Sequence, residues 1–234
     1  MLLAYNTSLA DLDIGLFSDD AKPLANFHHT TSSDDRGVHD RLLAQKTSDL
    51  LKELSATSND ISLIAFINGP GSFTGLRIGL SFAKGFAFGR NPAKENVSAA
   101  EKLSPVERTL SPFGEVRLAP LLAHQVLLAS ATSNNPLPAN SAILYPGYEK
   151  DSVYMSLSET PEKIRYIPID EVAKMNFAEV VCTPELDFIG IPHRITSIDL
   201  HTMAEMALRT EYQISAQSLG NLEPFYGTDF KPNK

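Results

Sequence analysis

Gly69, Gly71, Gly75 and Gly79 punctuate one short stretch, N-G-P-G-S-F-T-G-L-R-I-G from Asn68 to Gly79, with the hydroxyls of Ser72 and Thr74 set between them. A glycine-rich turn that opens a helix presents backbone N–H groups without partners, and such a turn can cradle a phosphate. The spacing here departs from the known cradles. A P-loop, G-x-x-x-x-G-K-[ST], needs a lysine that is absent between Gly69 and Leu76, and Gly69-x-Gly71-x-x-x-Gly75 misses the dinucleotide pattern. G-S-F-T-G also fails to centre its serine as the G-x-S-x-G nucleophile elbow does, so Ser72 or Thr74 is expected to cap a helix. No catalytic residue is assigned.

The 6 histidines include no pair spaced four apart on a helix, and adjacent His28 and His29 point to opposite faces of a strand, so no metal site is expected. His39 opens a helix, where contact with a partner competes with plain solvation. The acid pairs Asp11/Asp13, Asp19/Asp20 and Asp34/Asp35 stand in turn-like contexts, where aspartate bonds its own backbone.

These residues are carried by alternating strand and helix patterns. Leu2–Tyr5, Ile14–Phe17 and Lys22–His28 read as an antiparallel meander. Val38–Leu54 reads as a helix with Leu42, Leu43, Leu50, Leu51 and Leu54 on one side, its start capped by Asp34 or Asp35. Ile61–Ile67 is an apolar, β-branched run that reads as a central strand feeding the glycine turn. Thr74–Gly89 has helical length, and Gly75, Gly79, Ala83 and Ala87 recur every fourth residue, giving an edge of small side chains that another backbone can approach closely. Glycine within a helix costs about 1 kcal/mol relative to alanine, so close packing is expected to compensate.

Beyond Gly89 the character changes. Asn91–Gly114, broken by Pro92, Pro105 and Pro112, reads as an insertion or connection. A helix is expected over Leu121–Ala131. Strands are expected at Ala142–Tyr145, Val153–Leu157, Arg165–Ile169 and Glu179–Cys182. A further helix is expected over Leu200–Ile214, its buried stripe being Leu200, Met203, Ala207 and Leu208. The expected organisation is an N-terminal lobe over 1–90, the insertion over 91–114, a smaller second lobe over 115–199, and a C-terminal helix and tail over 200–234. No internal repeat is evident in the sequence.

Composition is that of an ordinary globular chain, 43% hydrophobic and 21% charged. The net charge of −8, with no dense basic run, disfavours autonomous nucleic-acid binding; any RNA is expected to be held by a partner. A lone cysteine, Cys182, forms no internal disulfide, and no apolar run is long enough to span a bilayer, so the cytoplasm is the expected location and no membrane contact is expected.

The run Gly69–Gly79 followed by Ala83-Lys84-Gly85 resembles the signature of the TsaB (YeaZ) family, as does the start Leu2-Leu3-Ala4-Tyr5-Asn6-Thr7-Ser8. His39, Arg41, Leu42 and Leu43 are similar to that family's first-helix pattern, and Pro224-Phe225-Tyr226 to its C-terminal segment. The resemblance implies an α/β, actin-like (ASKHA, ribonuclease H-like) fold with two lobes, the second smaller and degenerate. It also implies a part in making threonylcarbamoyladenosine in tRNA, supporting a TsaD-like catalytic paralogue and a TsaE-like ATPase, with tRNA reached through the complex. Partner-binding residues carried over onto the two N-terminal-lobe helices are His39, Leu42, Leu43, Lys46, Leu50, Gly75, Arg77, Gly79 and Ala83. Three departures stand out: Asn6 where an aspartate is usual after the first strand, the 91–114 stretch, and Tyr145-Pro146-Gly147-Tyr148 where the family has Asp-Ala-Arg.

Three functions are weighed on these residues. The first is a non-catalytic scaffold with no cofactor of its own, an interface nucleotide being left open. The second is an actin-fold ATPase, phosphotransferase or peptidase-like enzyme. Neutral Asn6 disfavours phosphoryl transfer, and the missing helical H-x-x-x-H pair separates the chain from the metal-binding paralogue. The third is a homodimer using the same helical surface when the partner is absent.

Overall fold

The structure, a computed structural model, describes residues 1–31, 38–89, 116–133, 135–187, 190, 192–214 and 220–227. The expected 91–114 insertion and the Asp34 or Asp35 cap lie outside the described residues.

The meander forms as its patterns predict: β1 (Leu2–Asn6), β2 (Leu12–Phe17) and β3 (Pro23–His29) pair antiparallel in succession. Helix α1 (Val38–Glu53) then leads to β4 (Leu63–Gly69), whose residues are all buried, as a run covered on both faces must be. β4 lies parallel to β1, and α2 (Phe73–Gly89) follows it. Next comes β5 (Arg117–Leu122), also parallel to β4, which completes the sheet order β3-β2-β1-β4-β5.

β5 departs from the sequence expectation, which places residues 117–122 in the second lobe and Leu121–Leu122 at the start of a helix. Pro120 disguises the strand, yet it is tolerated because β5 lies at the end of the strand order, where a missing N–H breaks no inner ladder. Helix α3 (Ala123–Thr132) therefore begins after the strand.

The second sheet contains β6 (Ala142–Pro146), β7 (Ser152–Leu157), β8 (Thr160–Pro168), β9 (Val180–Cys182) and a strand not expected from sequence, β10 (Arg194–Ile195). A single turn, α4 (Ile169–Val172), sits between β8 and β9. The sheet order is β10-β9-β6-β7-β8, with β6 antiparallel to β7 and parallel to β9. Its first three strands meander and its last two add parallel on the other side of the first, so the path of the first sheet is repeated. A sequence without detectable periodicity thus folds into two topologically equivalent sheets.

Helix α5 (Leu200–Ala207) is started by Asp199, whose carboxylate accepts from Thr202 N at 2.7 Å and Thr202 Oγ1 at 2.8 Å. It ends well before the expected Ile214. Gln213 Nε2 donates to the Ala207 carbonyl at 2.8 Å, and Ile214 is drawn to the free edge of β5, exchanging backbone bonds with Leu118 at 2.7 and 3.1 Å. Met203 and Ala207 are buried as expected, whereas Leu208 is 37% exposed.

One core joins the two sheets. Leu2, Ala4 and Ala65 from the first meet Ile143 and Tyr154 from the second, with α3 and α5 contributing Val126, Leu127, Met203 and Ala204. The opposite face of the first sheet packs Leu3, Tyr5, Ile14 and Phe66 under α1 and α2 through Leu43, Leu50, Leu80 and Ala83. A smaller cluster around Leu144, Val153 and Val172 covers the outer face of the second sheet.

Candidate functional site

At the mouth between the sheets, Asn6, Thr7 and Ser8 follow β1 and face the glycine turn and β6. Asn6, Thr7 and Ser8 are uncharged and bonded within the chain, with the Asp13 carboxylate of β2 in register opposite Asn6. Asn6 Oδ1 accepts from Ser8 N at 3.0 Å and from Ser8 Oγ at 2.5 Å. With the Ser8 proton committed to Asn6, the Tyr145 hydroxyl donates to Ser8 Oγ at 2.6 Å. Tyr145, standing where the resemblance led one to look for Asp-Ala-Arg, thus ties β6 to the end of β1; burial pushes its hydroxyl well above the usual phenol range. Among the described residues no group of His, Cys, Asp and Glu is placed to hold a metal ion.

The glycine turn spends its own donors. Ser72 N bonds the Ser8 carbonyl at 2.7 Å, which removes an amide that a phosphate cradle would use. Ser72 Oγ accepts from Gly75 N at 3.2 Å, so the serine caps α2 as expected. Gly69 has φ +138°, and a side chain there would run into the Phe225 carbonyl.

The small-residue edge of α2 requires a correction. Gly75, Gly79 and Ala83 are buried against this chain's own β1 and not presented to a partner. A methyl group on Gly75 would fall on the Thr7 carbonyl oxygen, and one on Gly79 would lie 2.6 Å from Thr7 Oγ1. The close approach is used by two buried bonds, Thr7 Oγ1 to the Gly75 carbonyl at 2.8 Å and the Tyr5 hydroxyl to the Gly79 carbonyl at 2.7 Å. Leu43 and Leu50 are likewise core residues, 1% and 5% exposed.

Other members of the predicted set stay near the surface. His39 Nε2 donates to the Ala10 carbonyl at 2.7 Å and so pins the first turn of α1 to the β1–β2 loop. Half-buried Lys46 pairs with Asp49 at 3.5 Å and stands 5.2 Å from the ring centre of Phe27 on β3. Leu42 is half-buried, and Arg77 is exposed.

Arg77 opens onto a groove of about 600 Å³ between α1 and α2, lined chiefly by Leu43, Phe73, Arg77, Ile78, Ser81 and Phe82, with Asp40 at its rim. Except for Arg77 and Leu43, these groove residues are absent from the expected site. They are legible as two i, i+4 rows of α2, Phe73-Arg77-Ser81 facing away from the glycines and Ile78-Phe82 flanking them.

A family model described as TsaD, tRNA N6-adenosine threonylcarbamoyltransferase, matches residues 36–101. The chain is 32% identical over 90 residues, 38% of each protein, to the tRNA threonylcarbamoyladenosine biosynthesis protein TsaB of Buchnera aphidicola. It is 31% identical over 88 residues to the Escherichia coli protein of the same description, covering 38% of this chain and 36% of that one. In sequence, therefore, the chain spans well under half the length of the curated relatives it matches. Its fold is similar over 96% of its length to YeaZ from Pseudomonas aeruginosa, covering 98% of that chain with a TM-score of 0.64 at 18% identity. The chain is thus similar in sequence to TsaB proteins over the part matched, and similar in its two-sheet fold to YeaZ over nearly its whole length.

Proposed function

We propose that the chain is a non-catalytic scaffold in threonylcarbamoyladenosine modification of tRNA, docking a TsaD-like catalytic paralogue on the groove face of α1 and α2. The observation that carries this reading is the groove itself: an apolar floor beside an exposed cation, on the helices that the family resemblance designates for partner contact. Asn6, neutral and bonded to Ser8 at the end of β1, supports a reading without intrinsic phosphoryl transfer. A TsaE-like ATPase and tRNA join through the complex, in the cytoplasm. The same face pairs two copies when the paralogue is missing.

Co-expression with the TsaD-like protein of the same organism, followed by gel filtration, tests the proposal. Wild type is expected to co-elute. Ser81→Arg and Thr74→Arg, both at exposed groove positions, are expected to weaken binding by about 100-fold while leaving thermal unfolding nearly unchanged. Co-elution of both variants at wild-type strength would sink the groove assignment. ATP turnover by the purified chain, lost on Asn6→Ala, would favour the enzyme reading.

A further inference from the structure

The segment from Leu222 to Gly227 crosses the glycine turn, held at successive points by groups of α2 and β4. Lys84 Nζ donates to the Leu222 carbonyl at 2.8 Å, and Asn68 Nδ2 to the Glu223 carbonyl at 3.0 Å. Phe225 N donates to the Asn68 carbonyl at 2.8 Å. The Phe225 carbonyl fills the space that the missing side chain of Gly69 leaves, so the glycine and the strap fit each other. Tyr226 then stacks on Phe73 with ring centres 5.1 Å apart.

Arg77 completes this arrangement. Its guanidinium lies 4.0 Å from the Phe73 ring centre, and its Nε donates to the Tyr226 hydroxyl at 3.3 Å. An exposed arginine ordinarily loses much rotamer freedom on binding; stacking and the Nε bond remove part of that freedom beforehand. The bond uses Nε, and among the described residues the two Nη groups of this groove-lining arginine make no hydrogen bond or ion pair, so a planar fork is available to a ligand. Among the described residues, no carboxylate is ion-paired with Arg77; the rim carboxylate, Asp40, accepts instead from Arg41 N at 2.7 Å. A partner that covers the apolar lining would exclude water from Arg77 and strengthen any charge-assisted bond formed there.

We infer that the 222–227 segment is a strap that presets Arg77 to receive an acidic side chain of the partner, with Tyr226 as the positioning residue. The inference rests on the docking face proposed above. It assigns a tail segment remote in sequence to that face, and it names the partner chemistry as a carboxylate seated on an apolar patch.

Binding of the full chain to the TsaD-like protein, measured by calorimetry at several salt concentrations, tests it. Arg77→Ala is expected to lower affinity by about 30-fold and to flatten the salt dependence. Tyr226→Ala should cost about 10-fold and Tyr226→Phe, which keeps the stack, about 3-fold. Because Tyr226 acts through Arg77, the double alanine variant should bind no more weakly than Arg77→Ala alone. Full additivity, or wild-type affinity in Tyr226→Ala, overturns the strap while leaving the docking face intact. If wild type does not bind the TsaD-like protein at all, the docking reading fails. The strap is then judged in the isolated chain, where the Arg77 Nε–H resonance should shift on Tyr226→Phe; an unmoved resonance overturns it.

Discussion

Gly75→Ala is expected to destabilise the protein by about 3 kcal/mol or more, although the same change at an exposed helical position stabilises by about 1 kcal/mol. The sign reverses because the added methyl would meet a carbonyl oxygen, that of Thr7, and backbone cannot swing aside as the end of a side chain can. To make room, α2 must lift from β1. That movement breaks the Thr7–Gly75 and Tyr5–Gly79 bonds, both buried, and leaves their partners without water. Gly85, where an added methyl would meet nothing within 4 Å, supplies the control on the same helix: Gly85→Ala should raise stability by up to about 1 kcal/mol. Urea unfolding of the two variants reads the result, and shifts in the same direction would refute the packing argument. For the same reason Gly79→Arg is not a clean probe of docking, since it strikes the seam between α2 and β1 before any partner is involved.

Acid is expected to remove about 3 kcal/mol through a single residue, His124. Its ring is fully buried on α3, Nε2–H donating to the Tyr154 carbonyl at 3.0 Å, and burial pulls its pKa down to about 4. The unfolded chain takes up this proton near pH 6.5, the folded one only near pH 4. The neutral ring therefore leaves stability undiminished above pH 6.5; stability is lost as pH falls from 6.5 to about 4, and no more is lost below that. His124→Gln keeps an N–H donor and lacks the titration, so its stability should vary less with pH across this window by about one proton. Urea midpoints measured for both proteins at pH 7, 6, 5 and 4.5 decide the matter. Parallel curves would show that His124 does not couple protonation to folding.

The first four strands and first two helices were legible because their hydrophobic runs are local and bounded by clear breaks. β4 could be read as a central strand from its uninterrupted apolar run, which only a two-sided burial explains. β5 escaped because Pro120 contradicts strand chemistry until its edge position is known, and the end of α5 escaped because Ile214 answers to Leu118, far away in sequence. At the site, the period of Gly75, Gly79 and Ala83 correctly announced a close backbone approach. Periodicity on one helix is the same whether the approaching backbone belongs to its own sheet or to another chain, so the identity of the neighbour was not encoded there. Arg77 stands within the motif and is readable there; its contact with Tyr226 depends on a separation of 149 residues that no local pattern carries.

The repeated sheet order also bears on how assemblies of this chain grow. The first sheet carries two long helices on its outer face, whereas among the described residues the second sheet has there only short turns, α4 and the 3-10 turn Pro184–Leu186. Filaments need two complementary faces, so that each subunit added exposes a site for the next. On the docking reading proposed above, the α1–α2 face would seat one partner, and the described part of the second sheet offers no matching pair of helices on which a further subunit could be added in the same way.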